Sequence, residues 1–179
     1  TRVTSCLQGS PNSGMVSKQA ILDVLLTIPD PEMPISIVDL GIVETVDVQE
    51  NIVRVELLPT FVGCLALPAI ADEVKQKIGE MEGIEEVTVD FIYDPPWSTD
   101  RMTEQGKNDL AEMGIAVPDG SCCSSGSEVT KVELQTSAIR CPWCESEDTT
   151  YTSTFGPTRC RSIHFCNACR QPFERMKQI

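Results

Sequence analysis

Two cysteine pairs near the C-terminus, Cys141-Pro-Trp-Cys144 and Cys166-Asn-Ala-Cys169, constrain this chain more than any other feature. Each C-x-x-C forms a tight knuckle presenting two thiolates. The 21 residues between the pairs suit two neighbouring hairpins that complete a tetrahedron. Residues 137–179 hold so few apolar side chains that a module of this size needs a metal staple to stay folded. Zinc is the first expectation and a rubredoxin-like iron the alternative, because four thiolates suit both. A thioredoxin-type redox pair is another use of Cys-Pro-Trp-Cys, but the second pair and the missing βαβ pattern argue against it. A site closed by Cys141, Cys144, Cys166 and Cys169 has no open coordination position, so its expected work is structural. Along a strand, Cys160, Ser162, His164 and Cys166 would share a face. For Cys160 and His164 a packing or supporting role is expected, with metal ligation as the alternative.

The other constraints come from size and charge. At 179 residues the chain can hold one ordinary domain and a small module. Its nine cysteines are an odd number, and four fall in the paired spacing of metal sites, which points to a reducing compartment rather than a disulfide framework. With 14 Lys and Arg against 27 Asp and Glu, the net charge of −13 weighs against an electrostatic grip on nucleic acid or an anionic membrane. The balance is uneven: residues 137–179 carry a net of +2 and the remainder −15. Solvated faces explain this, as would two modules offering different surfaces to one assembly. No apolar run approaches the roughly 18 residues a spanning helix needs, and residues 1–14 lack the basic and apolar regions of a leader, so a cytoplasmic protein is expected.

Hydrophobic spacing divides the chain. Residues 1–14 are rich in Ser, Gly, Pro and Asn and read as a tail, in which Cys6 has no assigned role. Ile21, Val24, Leu25 and Ile28 fall at helical spacing behind Ser17 as N-cap, and Pro29, Pro31 and Pro34 end that helix. Two alternating runs, 42–48 and 52–58, separated by Gln49-Glu50-Asn51, read as a hairpin with Val53, Val55 and Leu57 on one face. A helix through Leu67, Ile70, Ala71, Val74 and Ile78 follows, with Pro68 in its first turn and Gly79 or Gly83 as its stop. Val87, Val89 and Phe91 alternate as a third strand, and a weaker helix lies around Thr103 to Met113. The expected fold class is α+β: a small three-stranded sheet with helices over 15–117, a linker over 118–136, and a zinc ribbon over 137–179. Vicinal Cys122 and Cys123 lie in the linker as mobile thiols, with adventitious metal or redox capture as the alternative.

Cys64 is the cysteine to explain in the first module. It sits in Pro59-Thr-Phe-Val-Gly-Cys64, where a strand breaks and a helix begins. One reading makes it a thiolate stabilised by the first helical N–H groups, with Gly63 allowing close approach of a partner or cluster. The other makes it a buried cysteine packed as a small hydrophobe. Asp30, Glu32, Asp39 and Glu44 form an acidic group that reads either as solvated surface or as part of a site. The single histidine leaves no Ser/His/Asp arrangement, and neither a phosphate-binding glycine loop nor a Glu-x-x-His di-iron pattern is present. Catalysis by this chain alone is poorly supported.

Asp30-Pro-Glu-Met-Pro34 with Ser36-Ile-Val-Asp-Leu-Gly41, the Cys64 turn, Asp94-Pro-Pro-Trp97, Cys141-Pro-Trp-Cys144, Phe155-Gly-Pro-Thr158 and Pro172-Phe-Glu174 together resemble the D-subunit family of the bacterial phenylacetyl-CoA epoxidase system, over about residues 17–179. The first half also resembles the wider SufT-like family of iron–sulfur assembly factors. The combination with the zinc module is what points to the D-subunit family.

The resemblance implies a non-catalytic accessory subunit of a multicomponent monooxygenase in phenylacetate catabolism. In that system separate oxygenase and reductase subunits hold the di-iron, flavin and iron–sulfur centres, and the D-type subunit matures or repairs one of them. Those subunits are the implied partners, with no nucleic acid and no membrane, and a homodimer is left open. The implied cofactors are a structural zinc and a transient iron or iron–sulfur cargo. Cys64 would be the transfer residue, with Asp39, Thr60 and Gly63 in the motifs supporting it. The family often carries proline directly after this cysteine, whereas here Leu65 follows and proline is delayed to Pro68. A structural adaptor and a thiol oxidoreductase are the competing readings.

Overall fold

A computed structural model of the chain describes residues 16–118 and 139–177. The expected tail 1–14 and the expected linker beyond Pro118, with Cys6, Cys122 and Cys123, lie outside the described residues.

Apolar spacing accounts for the first module. Helix α1 (Lys18–Leu25) starts where the Ser17 hydroxyl accepts the Ala20 N–H at 3.1 Å, and it buries Ile21 and Leu25. The proline-rich segment after it is irregular, yet Ile28, Met33, Ile35, Ile37 and Leu40 are all buried there. Strands β1 (Val43–Gln49) and β2 (Ile52–Leu57) form an antiparallel hairpin around Glu50 and Asn51, with Glu50 in the left-handed region at φ 54°. Helix α2 (Leu67–Gly79), with Pro68 in its first turn, then carries the chain back over the sheet. Strand β3 (Glu86–Phe91) therefore pairs parallel to β2, setting Val87, Val89 and Phe91 opposite Val53, Val55 and Leu57. The mixed sheet has the order β1-β2-β3 and its apolar face packs with α1 and α2 in one core. Helix α3 (Glu104–Glu112) is capped by Thr103, whose hydroxyl accepts the Gly106 N–H at 3.0 Å.

The C-terminal ribbon contains β5 (Thr149–Ser153), β6 (Arg161–Cys166) and β7 (Pro172–Met176). Its sheet has a fourth strand that spacing rules do not reveal. After α3 the chain turns at Gly114 into β4 (Ile115–Ala116), which pairs parallel to β7 and gives the order β4-β7-β6-β5. Two residues carry no periodicity, so the sequence has no signal for β4.

The core is shared as well. Cys160 and Met176 of the ribbon and Ile115 of β4 pack in the same buried cluster as Ile21, Val55 and Ile78. Among the described residues, the ribbon's own cluster is Cys141, Cys166 and Phe173, flanked by Ala116, Ile139 and Cys169. Buried Arg161 fastens the seam: Nη1 lies 2.8 Å from Glu174, Nε donates to the Thr158 hydroxyl at 2.7 Å, and Nη2 donates to the Glu32 carbonyl at 3.3 Å. The fold is thus α+β, a three-stranded sheet with helices followed by a ribbon bearing a cysteine cluster. Among the described residues no helix is long and apolar enough to cross a membrane.

Candidate metal centre and cysteine cleft

The two knuckles are built alike. In the first, the Cys141 N–H donates to the Ser146 carbonyl at 3.0 Å and the Glu145 N–H to the Cys141 carbonyl at 2.8 Å. In the second, the Cys166 N–H donates to the Gln171 carbonyl at 2.9 Å and the Arg170 N–H to the Cys166 carbonyl at 3.0 Å. Glu145 (φ 60°) and Arg170 (φ 63°) occupy equivalent left-handed positions just after each pair, where the chain turns back out of the knuckle. The Trp143 N–H points at the Cys141 sulfur (3.4 Å) and the Cys169 N–H at the Cys166 sulfur (3.5 Å).

These turns bring Cys141, Cys144, Cys166 and Cys169 together, with all four sulfurs within 4.8 Å of one another. Cys141 and Cys169 are 3.7 Å apart and Cys144 and Cys166 3.6 Å. A tetrahedron with metal–sulfur bonds of ~2.3 Å has edges of about 3.8 Å, so the donor set fits a tetrahedral ion. The Cys169 N–H, followed by opposing desolvation, holds the Cys166 thiol down to about 7, while burial pushes Cys141 up. Four thiols this close ionise together only around a cation.

His164 and Cys160 stand outside this sulfur group. The buried His164 ring lies 3.0 Å from the Ser162 hydroxyl through Nε2, stacks on Phe173 at 5.5 Å and meets Tyr151 edge-on at 5.4 Å. It packs the ribbon interior.

Cys160 instead shares a cleft with Cys64. Both line one open cleft of about 150 Å³, with Glu32, Phe61, Gly63 and Leu65 from the first module and Pro157, Thr158 and Arg159 from the ribbon. Cys64 is half-buried at the turn before α2, and its N–H donates to the Phe61 carbonyl at 3.1 Å. The expected lowering of its pKa by the helix start does not occur. Burial is the largest influence and raises it, the Ala66 N–H opposes this, and Glu32, Asp30 and Cys160 raise it further. Helix α2 begins only at Leu67, three residues beyond the thiol, so its dipole acts weakly.

Gly63 is in the cleft wall, where a Cβ would meet Phe61 at 3.3 Å and Arg159 at 3.5 Å. The other motif residues lie outside the cleft lining. Thr60 is buried, and the Asp39 carboxylate accepts the hydroxyls of Ser36 (2.8 Å) and Thr103 (2.7 Å), tying the first loop to the start of α3. Glu44 pairs with Arg101. The residues that sequence reasoning did not bring to Cys64 are Glu32, which comes from the proline-rich segment of the same module, and Cys160, which the docking of the ribbon supplies.

Comparison with known proteins agrees with both halves. The family described as "PaaD zinc beta ribbon domain" matches residues 125–177, and the family described as "Iron-sulfur cluster assembly protein" matches residues 18–91. An Escherichia coli (strain K12) protein, provisionally named as the D component of 1,2-phenylacetyl-CoA epoxidase, is 34% identical over 157 residues, covering 87% of this chain and 90% of that one. The Fe-S protein maturation auxiliary factor YitW of Bacillus subtilis (strain 168) is 33% identical over 91 residues, 50% of this chain and 89% of that one. The crystal structure of a domain of unknown function, DUF59, from Bacillus anthracis aligns with a TM-score of 0.50 at 29% identity, covering 51% of this chain and 89% of that one.

Proposed function

The chain belongs to the D-subunit family of 1,2-phenylacetyl-CoA epoxidases, and from that premise we propose that it is a non-catalytic accessory subunit that matures or inserts an iron or iron–sulfur centre. The clients are the oxygenase or reductase subunits of a phenylacetyl-CoA epoxidase in phenylacetate catabolism. Iron is the cargo, Cys64 carries it, and the zinc-bound ribbon is part of the docking surface. The protein works in the cytoplasm, alongside those subunits.

One observation carries this reading. Cys64 is a thiol at the wall of an open cleft, on a turn whose neighbours Val62 and Leu65 are 72% and 81% exposed. A thiol placed so can take up a soft metal and pass it to a docked protein, because ligand exchange needs access from solvent. The ribbon sulfurs are closed against each other and suit a permanent ion.

Co-expression with the oxygenase and reductase subunits tests it, reading the iron content of those subunits after purification without oxygen. Cys64→Ser should leave one zinc per accessory chain and lower client iron at least about tenfold, the scale of losing a metal-site group. Equal client iron with wild type and Cys64→Ser overturns the proposal. A structural adaptor is the competing reading, favoured by the exposed apolar side chains Val62, Leu65 and Phe155. It predicts that Cys64→Ser retains both binding and client iron.

A further inference from the structure

We infer that the cargo iron is held between the two modules, by Cys64 and Cys160 together, with the Glu32 carboxylate as a third donor. This rests on the iron-carrier reading above and extends it to the ribbon, which becomes one wall of the carrying site.

Six cysteines lie among the described residues. Four form the ribbon tetrahedron, and the remaining two, distant in sequence and in different modules, line the same cleft. Both also pack with the shared apolar core, Cys160 as a buried member and Cys64 against it, so the cleft reaches two thiols that are partly sheltered from water. Cys160 is also held in place. Its sulfur lies 3.1 Å from the Thr158 hydroxyl, that hydroxyl accepts from Arg161 Nε at 2.7 Å, and the same guanidinium donates to the Glu32 carbonyl at 3.3 Å. One buried arginine thus sets the position of the ribbon thiol and of the Glu32 backbone at once.

Charge points the same way. Burial is the main influence raising the pKa of both Cys64 and Cys160, and Glu32 and Asp30 add to it in each case. Two thiols beside two carboxylates are poorly arranged for anions and well arranged for a cation. On binding a ferrous ion, each thiol releases its proton to solvent, and two thiolates with the Glu32 carboxylate leave the site one negative charge in excess. Exposed Arg159, which lines the cleft, can offset that charge.

The cleft differs from the ribbon site in tightness. The four ribbon sulfurs lie within 4.8 Å of one another, and they are the one group gathered so tightly among the described residues. The cleft's volume of about 150 Å³ is several times the ~30 Å³ that one water occupies in the liquid, so a hydrated ion or a small cluster fits with side-chain rotation. A looser donor set binds more weakly and releases more readily, as a carrier requires.

The test uses the full chain with its zinc bound, reduced and under anaerobic conditions. One arm receives ferrous iron alone and the other ferrous iron with sulfide, which separates ion from cluster. Retained iron per chain and thiolate-to-iron charge-transfer absorption are read for wild type, Cys64→Ser, Cys160→Ser, Cys160→Ala and Glu32→Gln. Cys160→Ala keeps a small apolar group in the core, and one retained zinc per chain reports an intact ribbon. The expectation is iron retention by wild type in at least one arm, with both Cys160 variants losing affinity at least about tenfold, as Cys64→Ser does, and Glu32→Gln losing about tenfold. Wild-type retention matched by Cys160→Ala overturns the inference, as does no retention by wild type in either arm. The carrier reading is decided separately by client iron: if that depends on Cys64 but not on Cys160, the carrier stands and the two-module site falls.

Discussion

The Trp143 indole lies directly against Gly114. A Cβ on Gly114 would come within 2.2 Å of Trp143 Cζ2, and Gly114 itself sits at φ 76°. This contact joins the first metal knuckle to the turn that sends β4 into the ribbon sheet. The Glu174 N–H donates to the Gly114 carbonyl at 3.0 Å, and Trp143 Nε1 lies 3.4 Å from the Pro172 carbonyl.

Gly114→Ala should therefore loosen the two modules. Left-handed backbone and overpacking together cost about 2–4 kcal/mol. In a Trp97→Phe background, where Trp143 alone emits, the expected result is a lower Tm and red-shifted fluorescence. Unchanged emission and Tm would contradict the role given to this contact.

Removal of a metal from the ribbon should unfold β5, β6 and β7, because among the described residues their own apolar cluster is three residues, two of them cysteines of the four-sulfur group. Strands β1 to β3 keep Ile21, Leu25, Val53, Val55 and Ile78 in their core and should keep their amide protection. Hydrogen exchange before and after chelation measures both halves. Equal protection of the ribbon in the two states would show that the metal does not hold it.

Arg161 is buried and pairs with Glu174 at 2.8 Å. Arg161→Met should destabilise by about 3–5 kcal/mol, since it strands the glutamate charge and frees the Glu32 carbonyl. The double variant Arg161→Met/Glu174→Gln should recover part of that loss. Urea denaturation of both variants supplies the comparison, and equal stability of single and double variants would remove the charge argument.

Burial raises the Asp30 carboxyl above its ordinary 3.8, against the N–H groups of Glu32 and Met33 and the Arg161 charge. A carboxyl whose folded pKa is raised stabilises the native state fully below the unfolded pKa, and that contribution is lost as pH rises through the folded value. The window thus runs upward from 3.8. Asn at this position keeps the Oδ1 acceptor for both N–H groups, at 2.7 and 3.0 Å. Asp30→Asn should melt at the same or a higher temperature at pH 7, and the difference should shrink toward pH 4. A markedly lower Tm at pH 7 would show that the attraction of Arg161 outweighs burial.

The raised pKa of Cys64 keeps it a thiol at neutral pH. Alkylation by iodoacetamide should speed up about tenfold per pH unit without a plateau below pH 9, because the thiolate is the reacting form. Cys160, buried and similarly raised, should react more slowly. Mass-resolved labelling of the two peptides distinguishes them, and a plateau near pH 7 would reinstate the helix-start argument.

The sequence by itself determined the local elements and the gathering of the four ribbon cysteines. Ser17, Pro68 and Thr103 mark helix starts, the alternation around Glu50 sets the hairpin, and C-x-x-C spacing brings four sulfurs together because each knuckle is closed by its own backbone. Those signals are short-range, and short-range geometry is what a linear pattern encodes. Tertiary structure alone decided the pairing of β4 with β7, the seat of Trp143 on Gly114, and the cleft that Cys160 shares with Cys64. These depend on how the ribbon docks on the first module. That docking is fixed by a buried arginine and a shared core, whose partners are far apart in the chain and leave no periodic trace.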